Sequence, residues 1–380
     1  MTSRATGISE PFRSICVVAL DAYELLASAA RVQFVGGESV QHVLLAKAWR
    51  DLGLDVTLLV HDQGQPRDSR IDGLRVLATC GRNEGLPVVR FIHPRMTSLM
   101  AGLRRADADV VYQSPAGVNT GWVARYCRSA GKPFIFRIAS DANCKPGEQL
   151  IDLWRDRKLF EYGMRRATLI AAQTDYQRTL LRDNYGLPSE IVNMVAEPGV
   201  PSPLAAKDID VLWVSNFRSV KRPEALLTVA RACPELRFSM VGGKLPGAER
   251  YFDQIVAEAK TLPNVTVHGA VPYGEVGALF DRAKVFLNTS VVEGFPNTYL
   301  QAWMRGLPVV ATFDPDSLIR RRGLGHSDPD VAALVAPLKA LLADPARLAD
   351  VGQAAYAFAL QEYSPRAVAQ RYLELLAGAN

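Results

Sequence analysis

The stretch Val285–Val310, VFLNTSVVEGFPNTYLQAWMRGLPVV, reads as a complete strand–loop–helix–strand unit. Val285–Asn288 is a short apolar run with the character of a buried strand. Glu293-Gly294-Phe295-Pro296-Asn297 interrupts it with Gly and Pro, so the chain turns tightly there. Helical spacing then runs over Thr298–Arg305, with Asn297 as the expected N-cap. Pro308–Ala311 supplies the next strand. A strand followed by a helix and another strand is the repeating unit of a parallel sheet.

The same rhythm extends outward in both directions. Downstream of the hinge-like segment Glu197–Lys207 (EPGVPSPLAAK), strands are predicted at Val211–Val214, Phe238–Val241 and Val265–His268, with helices at Glu224–Cys233, Tyr251–Leu262 and Glu275–Arg282. Upstream, strands are predicted at Ile15–Leu20, Leu54–Val60, Asp109–Tyr112, Pro133–Ile138 and Leu169–Ala172, and helices at Ser39–Leu52, Val118–Ser129 and Ile151–Arg166. Strands alternating with helices argue for doubly wound parallel sheets, here two of them joined by a proline-rich hinge. Ligands of such sheets bind at the carboxyl ends of the strands, so the cleft between the lobes is the expected site. From about Val331 the chain reads as terminal helices punctuated by Pro337, Pro345 and Pro365.

The Glu293 loop also carries chemistry. Unpaired N–H groups at a helix start, with the positive end of its dipole, suit an anion such as a diphosphate. Gly294 lets the backbone approach a ligand closely. Glu293 stands at the lip, where its carboxylate can accept hydrogen bonds from sugar hydroxyls. Gln301 follows eight positions later, about two helical turns on, and shares that side.

Composition narrows the class. Over 380 residues the apolar share is 48% and the charged share 22%, which is ordinary for a folded chain and excludes disorder as the main state. A net charge of +5 is too mild for a dedicated nucleic-acid binder. The five cysteines are scattered, with no C-x-x-C, so a disulfide framework or zinc ribbon is not expected and a reducing cytoplasm is. The leading residues MTSRATGISEPFR lack the apolar core of a secretion signal, and no apolar run approaches the roughly twenty residues of a membrane span.

Glu293-Gly-Phe-Pro-Asn-Thr-Tyr-Leu-Gln301, ending in Gly306-Leu-Pro-Val-Val310, resembles the two-glutamate segment of family 4 retaining glycosyltransferases of the GT-B fold. Four further landmarks fall in the family's order: Gly36-Gly37 as the glycine loop, Val211–Arg222 (VLWVSNFRSVKR) as the strand and basic loop, Val241-Gly242-Gly243, and Asn264–Val271. The resemblance implies two Rossmann-like domains facing across a cleft. Residues 1–200 would form the acceptor side and 201–360 the nucleotide-sugar side, with a helix in 361–380 packing back on the first domain.

The implied reaction moves a sugar from a nucleotide-diphosphate donor to an acceptor hydroxyl with retention, in cell-surface glycan or glycolipid synthesis. It needs no metal or other cofactor. By that resemblance Glu293 holds the donor sugar's hydroxyls, and the amides of Gly294, Phe295, Pro296 and Asn297 surround the sugar or phosphates, Pro296 only through its place in the loop. Gln301 reaches the ribose, Val271 meets the base, and Gly242 borders the donor. Lys221, with Arg218 as second cation, meets the diphosphate, and Gly36 and Gly37 close over the donor from the first domain. The chain departs from the family in three places. Gln301 replaces the second glutamate. Asn216 stands where the basic pair has its arginine, so Arg218 takes that part. Ala139-Ser140-Asp141 stands where the family carries a histidine, leaving Asp141 as the candidate first-domain catalytic group.

Two alternatives remain beside this reading: a nucleotide-sugar epimerase or hydrolase on the same fold, and a non-catalytic sugar-nucleotide-binding protein. A dinucleotide oxidoreductase is disfavoured because the first strand is not followed by G-x-G-x-x-G. The five histidines have no metal-ligand spacing, and of the four D-x-D triplets only Asp314-Pro-Asp316 follows a strand into the expected cleft. Trp154–Arg166 mixes basic and apolar residues. It reads first as a surface helix, with peripheral docking on anionic lipid at the inner membrane face as the alternative.

Overall fold

In the computed structural model, residues 12–28, 36–87, 89–245 and 247–378 are described, so most of the leading segment read for a secretion signal lies outside them. Eight strands make the first sheet: β1 (Ser14–Val18), β2 (Asp55–Val60), β3 (Asp68–Ile71), β4 (Leu74–Ala78), β5 (Val110–Gln113), β6 (Phe134–Arg137), β7 (Leu169–Ala172) and β8 (Glu190–Ile191). Their spatial order is β3-β4-β2-β1-β5-β6-β7-β8. Six make the second: β9 (Ile209–Val214), β10 (Phe238–Val241), β11 (Val265–Gly269), β12 (Ala283–Asn288), β13 (Val309–Ala311) and β14 (Gly325–Ser327), in the order β11-β10-β9-β12-β13-β14.

The central strands are buried along nearly their whole length, because helices cover both faces. Every pairing is parallel except β3 with β4. That hairpin is an addition to the sequence reading. Asp72 and Gly73 close it as a two-residue turn with φ of 49° and 78°, the left-handed pair that suits a tight hairpin. Its outer strand is polar and half exposed, so no apolar run announced it. The helix expected from Ile151 begins only at Trp154 and ends at Met164.

Strand order reverses once in each sheet, between β1 and β5 and between β9 and β12. A crevice forms at the carboxyl ends on either side of such a reversal. Both crevices face the cleft.

The last helix, Pro365–Gly378, returns to the first domain. Val368, Ala369, Tyr372, Leu373 and Leu376 join that domain's core, and the Trp49 indole donates to the Ala369 carbonyl at 3.3 Å. Trp49, Tyr112 and Tyr372 stack edge to face with centroids 5.4 to 5.8 Å apart. Truncating Trp49 to Ala would cost about 3–5 kcal/mol on general grounds. The preceding helix, Pro345–Tyr363, packs instead on the second domain through Ala355, Ala359 and Tyr363. The chain therefore crosses between the lobes twice, near 196–201 and at 363–365. The two crossings lie side by side: Ala196 N–H donates to Tyr363 O at 2.8 Å, and the Asn193 side chain donates to Glu362 O at 3.0 Å.

Candidate active site

The cleft between the lobes encloses a cavity of about 420 Å³. From the second domain it is lined by the ends of β9 (Ser215, Asn216) and β12 (Asn288), by Lys221, Gly242 and Val271, and by the Glu293–Gln301 loop and helix. The first domain contributes Gly37, Glu38 and Gln41 from the helix Gly37–Asp51, with Ala139 and Gln173; Val195 and Glu197 come from the first crossing.

Two loops are stitched together to make the second-domain wall. The Thr289 hydroxyl donates within hydrogen-bond range of the carbonyls of Lys221 (2.7 Å) and Arg222 (2.9 Å), and it accepts from the Trp213 indole at 3.0 Å. Val291 N–H donates to Val220 O at 2.9 Å. This stitching sets Lys221 against Glu293, and the two form a direct ion pair, both mostly buried. The Ser290 hydroxyl donates to the same Glu293 oxygen at 2.7 Å. Among the described residues, the amides of Gly294, Phe295, Asn297 and Thr298 donate to no protein group.

The helix after this loop begins at Asn297, so Pro296 is its N-cap and Asn297 is the first helical residue. The expected capping role of Asn297 is therefore corrected. Its side chain spans the cleft, donating to Gly37 O at 3.1 Å and accepting from Gln41 Nε2 at 2.9 Å. Gln41 in turn holds the backbone of Val195 through both its amide atoms. The lobes approach closely here. A Cβ at Gly37 would lie 2.6 Å from the Asn297 side chain, and one at Gly294 would lie 2.8 Å from the Ala139 carbonyl. Gly242, with φ near 155°, has the Ser215 carbonyl where a Cβ would stand, at 1.8 Å.

Phe295 lines the cavity but its ring also packs on Trp303 and Tyr363, which anchors the loop to the core. Gln301 is buried in the lining beside Tyr273, whose hydroxyl donates to Glu197 at 3.2 Å. Burial, then the Glu197 charge, pushes the Tyr273 phenol well above its usual range. Tyr273, Glu197, Gln173 and Gln41 are lining residues that sequence reasoning passed over, and Asn216, read there only as the place of a missing arginine, lines the cavity too.

Three expected residues stand elsewhere. Arg218 is exposed and outside the cavity lining, because the short turn Ser219–Lys221 that follows brings Lys221 to the wall and leaves Arg218 beyond it. Asp141 is also outside the lining. It accepts from Gln177 Nε2 at 2.9 Å, and burial raises its carboxyl above the ordinary range despite that bond. Gly36 borders a second, first-domain cavity, leaving Gly37 at the cleft.

The Asp314-Pro-Asp316 triplet does not enter the cleft either. Asp314 accepts from Ile319 N–H and the Ser327 hydroxyl, both at 2.8 Å. Asp316 crosses to the first domain and accepts from Asp175 N–H at 2.7 Å. Among the described residues, no three His, Cys, Asp or Glu side chains gather as a metal-holding group, and no helix is long and apolar enough to cross a membrane.

Two doubly wound lobes facing across a cleft, with a lysine, a glutamate and open amides on one wall, follow the GT-B plan. The sequence comparisons agree. A model of glycosyl transferases group 1 matches residues 208–344, and one of a glycosyl transferase 4-like domain matches residues 36–197. Together they span most of the chain, which belongs to the GT-B-fold glycosyltransferases related to these families. It transfers a sugar from a nucleotide-diphosphate donor to an acceptor.

Solved structures share the architecture at low identity. A sucrose-phosphate synthase from Thermosynechococcus elongatus superposes with a TM-score of 0.77 at 16% identity, over 96% of this chain and 100% of its own. The Anabaena protein HepE, crystallised with UDP and glucose, gives 0.73 at 16% over 96% and 100%. A Rickettsia africae glycosyltransferase gives 0.68 at 12% over 97% and 98%. Among proteins of curated function, no sequence matches.

Proposed function

We propose that the chain is a retaining hexosyltransferase whose donor lies along the second-domain wall of the cleft. The observation that carries this reading is the Lys221–Glu293 pair standing over the open amides of Gly294, Phe295, Asn297 and Thr298. A diphosphate brought to that wall meets the Lys221 ammonium and the amides, and so takes the lysine from Glu293. The freed carboxylate then accepts hydrogen bonds from the donor sugar. Charge developing on the leaving nucleoside diphosphate is stabilised by fixed donors rather than by a metal. Gln301 and Tyr273 suit the ribose, and the backbone of Val271 the base. Because HepE was crystallised with UDP-glucose, that is the first donor to assay.

The test combines donor binding with product analysis. Incubation with UDP-glucose and a glycan acceptor in excess chelator is expected to give an α-linked product, read by NMR of the new anomeric proton. A β-linked product refutes retention, and restoration of lost activity by Mn²⁺ refutes metal independence. Turnover of donor without acceptor favours the hydrolase or epimerase, and tight donor binding with no transfer favours the non-catalytic alternative.

A second observation supports peripheral membrane contact. Leu86, Val89 and Ile92 are exposed on one segment, and Leu150, Leu153 and Trp154 on another. The Arg155 guanidinium lies 3.3 Å from the Phe91 ring centroid and brings the segments together. Arg90, Arg95, Arg155, Arg157 and Lys158 accompany these apolar groups against Glu84, Glu148, Asp152 and Asp156. An apolar surface mixed with cations suits the interface of an anionic bilayer. Co-sedimentation with phosphatidylglycerol vesicles, lost with Trp154→Ala and in pure phosphatidylcholine, is the expected result. Equal sedimentation by the variant removes the patch from that role.

A further inference from the structure

Arg137 closes β6 at its carboxyl end, is 1% exposed, and lines neither the cleft cavity nor the first-domain one. Whatever it does for the cleft, it does through a neighbour. A buried guanidinium is costly unless a carboxylate answers its charge. Among the described residues one does: Glu38 Oε1 accepts from Arg137 Nη2 at 2.5 Å, while Nε and Nη1 make no hydrogen bond. The other Glu38 oxygen accepts from the Ser114 hydroxyl at 2.6 Å, one residue beyond β5. Burial favours the neutral acid at Glu38, but the Arg137 charge outweighs it and holds the carboxyl below its ordinary value. The ends of two paired strands thus grip both oxygens of one side chain.

That grip fixes the start of the helix Gly37–Asp51, of which Glu38 is the second residue. Little else holds it locally. Its N-cap, Gly36, has no side chain to cover the first amides, and the first helical bond, from Val40 N–H to Gly36 O, is long at 3.3 Å. Yet this turn is where the lobes meet. Asn297 Nδ2 donates to Gly37 O at 3.1 Å, and Gln41 Nε2 donates to Asn297 Oδ1 at 2.9 Å. A Cβ at Gly37 would lie 2.6 Å from the Asn297 side chain, so a small shift of the helix start is felt across the cleft. Asn297 in turn opens the next helix, and the amides of Asn297 and Thr298 donate to no protein group among the described residues.

We propose that Arg137 is a positioning residue for sugar transfer. Through its hold on Glu38 it sets the helix start where Gly37 and Gln41 clasp Asn297, and so places the leading amides of the Asn297 helix for the donor's diphosphate. The proposal rests on the donor reading above. It assigns Arg137 no contact with substrate. A group buried only to stabilise the first domain has no reason to be coupled to a residue of the second, and that coupling is what separates the two roles.

Titration calorimetry on the full chain tests this, with UDP, GDP and ADP as probes and the tightest of the three carried through the variants. Arg137→Met is expected to weaken binding about tenfold at unchanged stoichiometry, and Asn297→Ala by a similar factor, each the size of one net hydrogen bond. Acting through one clasp, the two losses do not multiply: Arg137→Met/Asn297→Ala is expected to bind within about threefold of the weaker single variant, not about a hundredfold below the unaltered chain. A second pair keeps stability apart from position. Arg137→Met leaves Glu38 without its partner, whereas Glu38→Gln/Arg137→Met removes both charges and is expected to regain Tm while affinity stays about tenfold low. Should Arg137→Met not fold, that charge-free pair takes its place in the cycle with Asn297→Ala. Affinity that returns with Tm, losses that multiply, or unaltered binding by folded Arg137→Met would show that Arg137 serves stability alone and overturn the proposal. A chain that takes none of the three nucleotides overturns the donor reading and this proposal with it, whereas nucleotide binding with any of the other results overturns this proposal alone.

Discussion

The two strand reversals sit at equivalent places in their sheets, yet the crevices they open are chemically opposite. At β9/β12 the wall is made of glycines, unpaired amides and a lysine balanced on a glutamate. At β1/β5 it is made of carboxylates, a neutral imidazole and an amide, with the buried Arg137 locked behind Glu38. Topology decides where a ligand lies, and the few residues after each strand decide its charge. One crevice presents mainly hydrogen-bond donors, the other mainly carboxylates, and Glu38 lines both.

That contrast can be broken most directly at Glu293. Glu293→Ala is expected to lower initial rates of sugar transfer by about 10²–10³, the scale of one lost transition-state contact. Near-normal rates would remove the loop from the chemistry. Lys221→Ala is expected to weaken UDP binding about 10- to 100-fold by calorimetry, while Arg218→Ala, outside the cavity, changes it less than about twofold. Equal losses in both would mean that the basic loop rearranges around the ligand.

Gly242→Ala sharpens the same side through the backbone. With its φ and the Ser215 carbonyl both against it, the change is expected to cost roughly 1–3 kcal/mol and several degrees of Tm by calorimetric scan. The smallest effect belongs to the first-domain wall and to pH. His42 resists its proton down to about 4 in the native state, while the unfolded chain accepts it near 6.5. Stability should therefore fall as pH drops through that window. Glu38, also held low, adds to the loss as unfolded carboxyls protonate near and below 4.5. His42→Gln should flatten the upper part of the Tm-against-pH curve, and an unchanged slope would show that His42 titrates normally.

The architecture was legible because buried parallel strands and their helices leave strong, regular apolar patterns. That Glu293 and Gln301 would line the cleft was legible because one short stretch carries both, and Lys221 because it sits in the loop directly after a buried strand. The hairpin β3–β4 was hidden by its polar outer strand, although Asp72-Gly73 marks its turn. Arg218 and Asp141 were misplaced because one turn of backbone decides whether a side chain reaches a cleft, and spacing alone does not encode it. Asn297 looked like a cap, but its amide found better partners 256 and 260 residues away. Glu38 was unreadable for a similar reason: its importance comes from Arg137 and Ser114, distant in sequence and brought beneath it only by the sheet.

The paired crossings near Ala196 and Tyr363 have a mechanical consequence. Two chains bridging the lobes at neighbouring points resist sliding and twisting, and leave rotation about the line through them as the soft motion. Met194, Val195 and Glu197 belong to one of those bridges and also to the floor of the cleft. Swinging the lobes apart therefore deforms the lining of the cleft itself, so opening of the cleft and distortion of its floor run along a single coordinate.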